Sequence, residues 1–259
     1  MKYVFFVLKA IFSIYVFTLF IVIMLLLFPF VIAVSFLGKV KGGNIIYKIC
    51  QLWADVIFVL CGLYHKNYFE VPHNNNKQYV FVFNHISYMD IPVLMKVIRK
   101  QHFRILGKAE MSKIPVFGFF YKHAVVMVNR ESAQKRVASI LQLKKVIAKK
   151  ISGVIAPEGT FNTSDNPLKS FYDGAFIVAI ETQTPIKPIL FLDTFDRMNY
   201  KYVLSITPGK TRAIYLDEIS VEGLTIKDVK KLKEKVFNIM EEKLIFYKAN
   251  WIKEVNCNG

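Results

Sequence analysis

The segment FVFNHISYMD, Phe81 to Asp90, ends an apolar run with His85 and, five residues on, Asp90. A carboxylate on one imidazole nitrogen fixes the tautomer and leaves the other nitrogen to take a proton. In a continuous helix, residues five apart lie about 140° round the axis, so two helical residues at this spacing do not meet. They meet if His85 lies in a loop, a helix starts near Ser87, and the loop folds the imidazole over the first turn. Ser87 is too close along the chain to be an obvious nucleophile, and G-x-S-x-G is absent from the sequence. The pair therefore suits deprotonation of a substrate hydroxyl. Taken alone, His-x4-Asp is equally a loop histidine beside an aspartate that serves the helix dipole.

A second constellation is GVIAPEGTFN, Gly153 to Asn162. A short strand runs into Pro157-Glu158-Gly159-Thr160. Such a turn can offer backbone N–H groups and the Thr160 hydroxyl to an anion. Glu158 beside them either orients a hydroxyl or carries a structural hydrogen bond. As an isolated pattern it is also a plain turn.

Both segments need a scaffold that ends strands at one edge. From about residue 66 the chain supplies it. Tyr79–Phe83, Phe103–Gly107, Ala124–Val128, Gly153–Ala156 and the run PIKPILFL read as strands. Between them lie helical patterns: MDIPVLMKVIRK, GAFIVAIETQ, and Glu131–Lys150 with Val137, Ile140, Leu141, Lys144 and Ile147 on one face. Alternation of this kind predicts an α/β domain with a mostly parallel central sheet flanked by helices. Thr225 with Asp228 resembles a capping box. Val229, Leu232, Val236, Ile239, Met240 and Leu244 mark a closing amphipathic helix.

Residues 1–65 read as a separate membrane-anchoring unit and 66–259 as the α/β domain. Ala10 to Leu37 carries no charge and would be about 42 Å long as a helix, against about 30 Å of hydrocarbon. It spans with tilt or bends at Pro29, and is too long for a signal-peptide core, so it reads as a retained anchor. Lys2, Lys9, Lys39 and Lys41 flank it almost symmetrically and give no orientation. Asn44–Tyr64 has Ile45, Ile49, Trp53, Ile57 and Leu60 at helical spacing, with Lys41–Gly43 as a turn. The two segments form either an antiparallel membrane hairpin or an anchor followed by a core helix.

Composition agrees with contact with lipid as well as a core. Hydrophobic residues make up 54% of the 259, with 23 phenylalanines, and the net charge is +16. Apolar excess with basic charge favours an anionic membrane surface, where each nearby Lys or Arg contributes roughly 1 kcal/mol. No helix-turn-helix, RNP-type or zinc-ligand signature occurs, so no nucleic-acid partner and no metal are expected. Cys50, Cys61 and Cys257 lack CxxC spacing and fit a reducing compartment.

Four blocks in this order resemble the glycerolipid acyltransferase family, most closely the 1-acyl-glycerol-3-phosphate acyltransferases (PlsC-like). NHISYMD resembles the family's N-H-x4-D block. VVMVNR, ending at Arg130, resembles the second; APEGTFN resembles the third, F-P-E-G-T-R-S; TPIKPILF resembles the fourth. GKAEMSKIPVFGFF and FYDGAF resemble two segments between them. The resemblance runs from about Tyr79 to Phe191.

It implies that His85, oriented by Asp90, acts as general base on the free hydroxyl of a lysophospholipid, first of all 1-acyl-glycerol-3-phosphate. The hydroxyl attacks the thioester of acyl-CoA or acyl-carrier protein, the co-substrate, with no cofactor and no acyl-enzyme. Lys108 and Arg130 would hold the acceptor phosphate. Glu158 and Gly159 would position the glycerol, with Asn84 and Thr160 also lining the site. One departure stands out: Phe161 replaces the third block's arginine, and Asn162 its serine. Either Lys108, Arg130 and Lys169 suffice, or the acceptor is another lysolipid, such as lyso-ornithine, another aminolipid or lysophosphatidylcholine. The implied location is the cytoplasmic face of the inner membrane. The rivals are a hydrolase or CoA-independent transacylase with the same pair, and a non-catalytic membrane-binding relative.

Overall fold

The structure is a computed structural model that describes residues 2–129 and 133–252. In chain order the elements are α1 (Lys2–Ser35), α2 (Gly43–Leu60), β1 (Leu63–Phe69), β2 (Val80–Phe83), α3 (Asp90–Val97), β3 (Phe103–Lys108), α4 (Phe117–Ala124) and β4 (Val126–Val128). There follow α5 (Ala133–Ile147), β5 (Ser152–Ile155), α6 (Gly174–Glu181), β6 (Ile186–Phe191), α7 (Thr194–Arg197), β7 (Gly209–Tyr215) and α8 (Val229–Phe246).

The strands form one sheet in the order β1-β7-β6-β2-β5-β3-β4. Strands β6, β2, β5, β3 and β4 are parallel; β7 is antiparallel to β6, and β1 runs parallel with β7. The central strands are covered on both faces, which is why they read as continuous apolar runs. Val80 and Val82 join the core beneath α5, α6 and α8, while Phe81 and Phe83 join the core beneath α2 and α3. Each such buried side chain contributes roughly 1.5–3 kcal/mol.

The expected α/β class with a mostly parallel sheet is the observed one. β1 and β7 are additions, and β1 begins at Leu63, inside the stretch assigned to the anchor. On α5 the buried stripe is Ser139, Leu143 and Ile147. Val137 and Leu141, expected on the apolar face, are exposed. Near the C-terminus the Asp228 carboxylate accepts both the N–H and the hydroxyl of Thr225, so the expected cap forms.

The two N-terminal helices are antiparallel neighbours. Tyr15 Oη donates to Leu60 O at 3.2 Å, and Phe20 meets Trp53 edge-on at 5.0 Å. Their turn is clamped by buried Arg104 on β3, which donates to Lys39 O at 2.9 Å and Val40 O at 3.1 Å. A side chain at Gly43 would meet that guanidinium. Tyr3–Ser35 and Gly38–Leu60 are each long and apolar enough to cross a membrane. They differ in burial: 11% of the first apolar window is buried and 39% of the second. α2 thus pairs with α1 on one side and closes the α/β core on the other, where Gln51 donates to Ile98 O at 2.8 Å and Asp55 pairs with Arg99 at 2.8 Å.

Candidate active site

β2, β5, β3 and β4 deliver their C-terminal ends to one edge. Val82 is paired with Ile155, so three residues further on the register sets His85 beside Glu158. Asn84 is buried, and its amide stitches the end of β2 to β6: Nδ2 donates to Phe191 O at 3.0 Å and Oδ1 accepts the Phe191 N–H at 2.8 Å. Expected to contact substrate, Asn84 instead commits its amide to the neighbouring strand, because parallel strands ending together leave backbone groups that need partners.

The helix expected near Ser87 starts at Asp90. The intervening turn brings the imidazole back over that first residue. Asp90 is fully buried, and its Oδ2 accepts three donors: His85 Nδ1 at 2.8 Å, Ile86 N at 2.9 Å and Ser87 N at 3.0 Å. The carboxylate holds the proton on Nδ1, so Nε2 carries the lone pair. Ser87 Oγ donates to Met198 O at 2.6 Å and accepts the Met89 N–H at 2.9 Å, which makes it a structural tie in this turn.

Glu158 is also fully buried. Its Oε1 accepts the His85 N–H at 2.7 Å and its Oε2 the Lys169 N–H at 2.9 Å. Asn162 N donates to His85 O at 2.7 Å. The turn after β5 therefore grips the backbone of His85 on both its N–H and its C=O. Burial pushes the Glu158 carboxyl up to about 8, against the pull of its two backbone donors. Of the two roles open to Glu158, the structure shows the backbone hydrogen bonds, one on each oxygen.

Gly159 has φ +70°, a conformation that favours glycine and turns the chain under the histidine. Its N–H, expected to face an anion, bonds Ala156 O at 3.0 Å. Thr160 Oγ1 accepts from Lys169 Nζ at 3.0 Å. Lys108 is exposed at the end of β3, on the same edge. Arg130 lies outside the described residues.

Around the imidazole stands an aromatic wall that motif reading did not assemble. The Phe161 ring centroid is 4.4 Å from that of His85 and 4.7 Å from that of Tyr88, and Tyr200 stacks on Phe161 at 6.3 Å. Tyr200 comes from the loop after α7, whose place in sequence carries no signal of this contact.

A family model described as "Acyltransferase" matches residues 53–192. The human 1-acyl-sn-glycerol-3-phosphate acyltransferase beta is 29% identical over 154 residues, 59% of this chain and 55% of that one. The 1-acyl-sn-glycerol-3-phosphate acyltransferase of Haemophilus influenzae is 24% identical over 212 residues, 81% of this chain and 85% of that one. The chain thus spans about half the length of the human relative and most of the bacterial one. In fold it is similar to the crystal structure of the 1-acyl-sn-glycerophosphate (LPA) acyltransferase PlsC from Thermotoga maritima, with a TM-score of 0.73 over 98% of this chain and all of that one, at 19% identity.

Proposed function

The chain belongs to the acyltransferase family, and from that premise we propose that it moves a fatty acyl group from a thioester to the free hydroxyl of a lysophospholipid, first of all 1-acyl-glycerol-3-phosphate. The observation that carries this is the His85–Asp90 pair, held by a fully buried carboxylate on one side and by Glu158 on the other. His85 Nε2 takes the hydroxyl proton as the oxygen attacks the thioester carbonyl. The C–O bond forms, the tetrahedral intermediate collapses, and the C–S bond breaks. The proton on Nε2 passes to the departing thiolate. Asp90 stabilises the imidazolium between the two transfers without itself taking a proton. Acyl-CoA or acyl-carrier protein is the donor.

Lysophosphatidate comes first among acceptors because the human and bacterial relatives are both named for it. The length and largely exposed apolar surface of α1 support a membrane location, which suits an acceptor and a product that both stay in the bilayer. Anionic lipid suits the +16 net charge.

Thiol release and product mass test the reading together. The purified protein, given acyl thioester and a panel of lysolipids, should release thiol only when an acceptor is present, and its product should gain one acyl chain. His85→Ala should lower the rate by about a hundredfold or more with vesicle binding kept. Acyl transfer or deacylation with lysolipid alone would favour a transacylase or hydrolase. Unchanged activity in His85→Ala would sink the proposal.

A further inference from the structure

The turn after β5 lacks the arginine that the blocks around it lead one to expect. Phe161 occupies that position, and its ring lies against the imidazole rather than offering a charge. An acceptor with its hydroxyl and its phosphate on neighbouring carbons needs a cation within a few bond lengths of His85.

We propose that Lys169 supplies that cation and is a phosphate-binding residue of this site. The inference rests on the acceptor reading above. Its structural ground is the sharing of one carboxylate: Glu158 takes the His85 N–H on Oε1 and the Lys169 N–H on Oε2. The backbones of the base and of the lysine are thereby fastened to the two oxygens of a single rigid group. The side chain of Lys169 then reaches Thr160, the residue preceding Phe161, with Nζ 3.0 Å from Thr160 Oγ1. That partner is a neutral hydroxyl, so the ammonium charge is left in place.

Lys169 is exposed, and its four-carbon stem lets the ammonium turn from the hydroxyl to a phosphate oxygen. Phe161 walls the imidazole and is itself backed by Tyr88. The wall and the cation divide between two residues what one arginine would do alone: Phe161 fills space beside the base, and Lys169 carries the charge.

The test uses the full chain with one acyl thioester and two acceptors of the same chain length, lysophosphatidate and its phosphate-free 1-acylglycerol. Lys169→Met removes the charge and keeps the backbone bond to Glu158. The proposal expects KM for lysophosphatidate to rise about tenfold with kcat held within roughly threefold. The rate on 1-acylglycerol should not change, and Lys169→Arg should stay near the parent. A KM for lysophosphatidate unchanged in Lys169→Met overturns the proposal. So does an equal loss on both acceptors, which would mark Lys169 as a support of His85 only. If the parent protein acylates the phosphate-free lipid and ignores lysophosphatidate, the acceptor reading itself fails and the lysine assignment with it, while the His85–Asp90 chemistry stands.

Discussion

His85 and His73 stand at opposite ends of β2 in the same sheet, and His73 is the one that borders a sizeable cavity. His73 borders a cavity of about 460 Å³ lined by Asn67, Phe69, Arg99, Gln101 and Tyr215. Its Nε2 faces an amide oxygen, Gln101 Oε1, at 3.1 Å, and its ring sits among Phe69, Tyr79 and Tyr215. Burial holds its pKa below the usual histidine value. His85 faces a buried carboxylate at 2.8 Å and is clamped through its backbone by the buried Glu158 carboxyl. A histidine that takes a proton needs a neighbour that gains from the new positive charge. A carboxylate does so, and charge-assisted hydrogen bonds are roughly twice as strong as neutral ones. An amide oxygen does so more weakly, and at His73 desolvation outweighs it. The difference between the two ends lies in what compensates charge, and the volume of the cavity says little about it.

The largest effect expected from that contrast is a pair of variants. His85→Ala should abolish thiol release to within about one part in a hundred, while His73→Ala should leave it within roughly threefold. Equal losses, measured as kcat on the same thioester and acceptor, would break the comparison.

Glu158 comes next. Glu158→Gln keeps the shape but turns an –NH2 toward one of the two backbone N–H donors, and kcat should fall by about tenfold with KM little moved. The same variant reads the buried carboxyl by pH. Its pKa rises from 4.5 to about 8 in the folded protein, so the native state holds this proton more tightly than the unfolded chain. The resulting stability is full below pH 4.5 and is lost as the pH climbs through about 8. Denaturant unfolding in detergent should show the parent losing stability over that window, by at most about 1.4 kcal/mol per pH unit from this group. Glu158→Gln should flatten the curve, and an unchanged slope would remove Glu158 from the account.

The smallest effect is expected on α1. Ser13, buried on α1, accepts the Ile206 N–H at 2.9 Å. Ser13→Ala should cost about 1 kcal/mol, read as a drop of a few degrees in Tm, with activity kept.

What the sequence revealed, and what it hid, follows from burial and distance along the chain. The runs VFVF and PIKPILF announced β2 and β6 because both faces of those strands are covered. β1, with His65, Lys66 and Asn67 in LYHKNYF, is an edge strand with one face half in solvent, and its polar residues concealed it. α4 begins within GKAEMSKIPVFGFF, a stretch read only for its resemblance to a family segment, so no helix was expected there. His85 and Asp90 were legible because their contact is local. Glu158 was noticed but given to substrate, since its real partner is the backbone N–H of a residue 73 positions away. The bond of Asn84 to Phe191, across 107 positions, was out of reach of local reading for the same reason. Side chains that serve a distant backbone look, in sequence, like side chains waiting for a ligand.

The contacts of α1 bear on how an acceptor arrives. Ser13 ties it to the loop that reaches Met198 and Ser87, and Phe28 packs against Phe119 and Phe120 of α4 at 5.5 and 6.1 Å. The helix is fixed at both points, without a flexible tether between it and the catalytic fold. With α1 in lipid, the site cannot dip and withdraw on a leash; it rides at one height. For the lysolipid acceptor proposed above, encounter would then be a two-dimensional problem, governed by how fast the lipid drifts sideways within the leaflet rather than by how often a domain meets the surface.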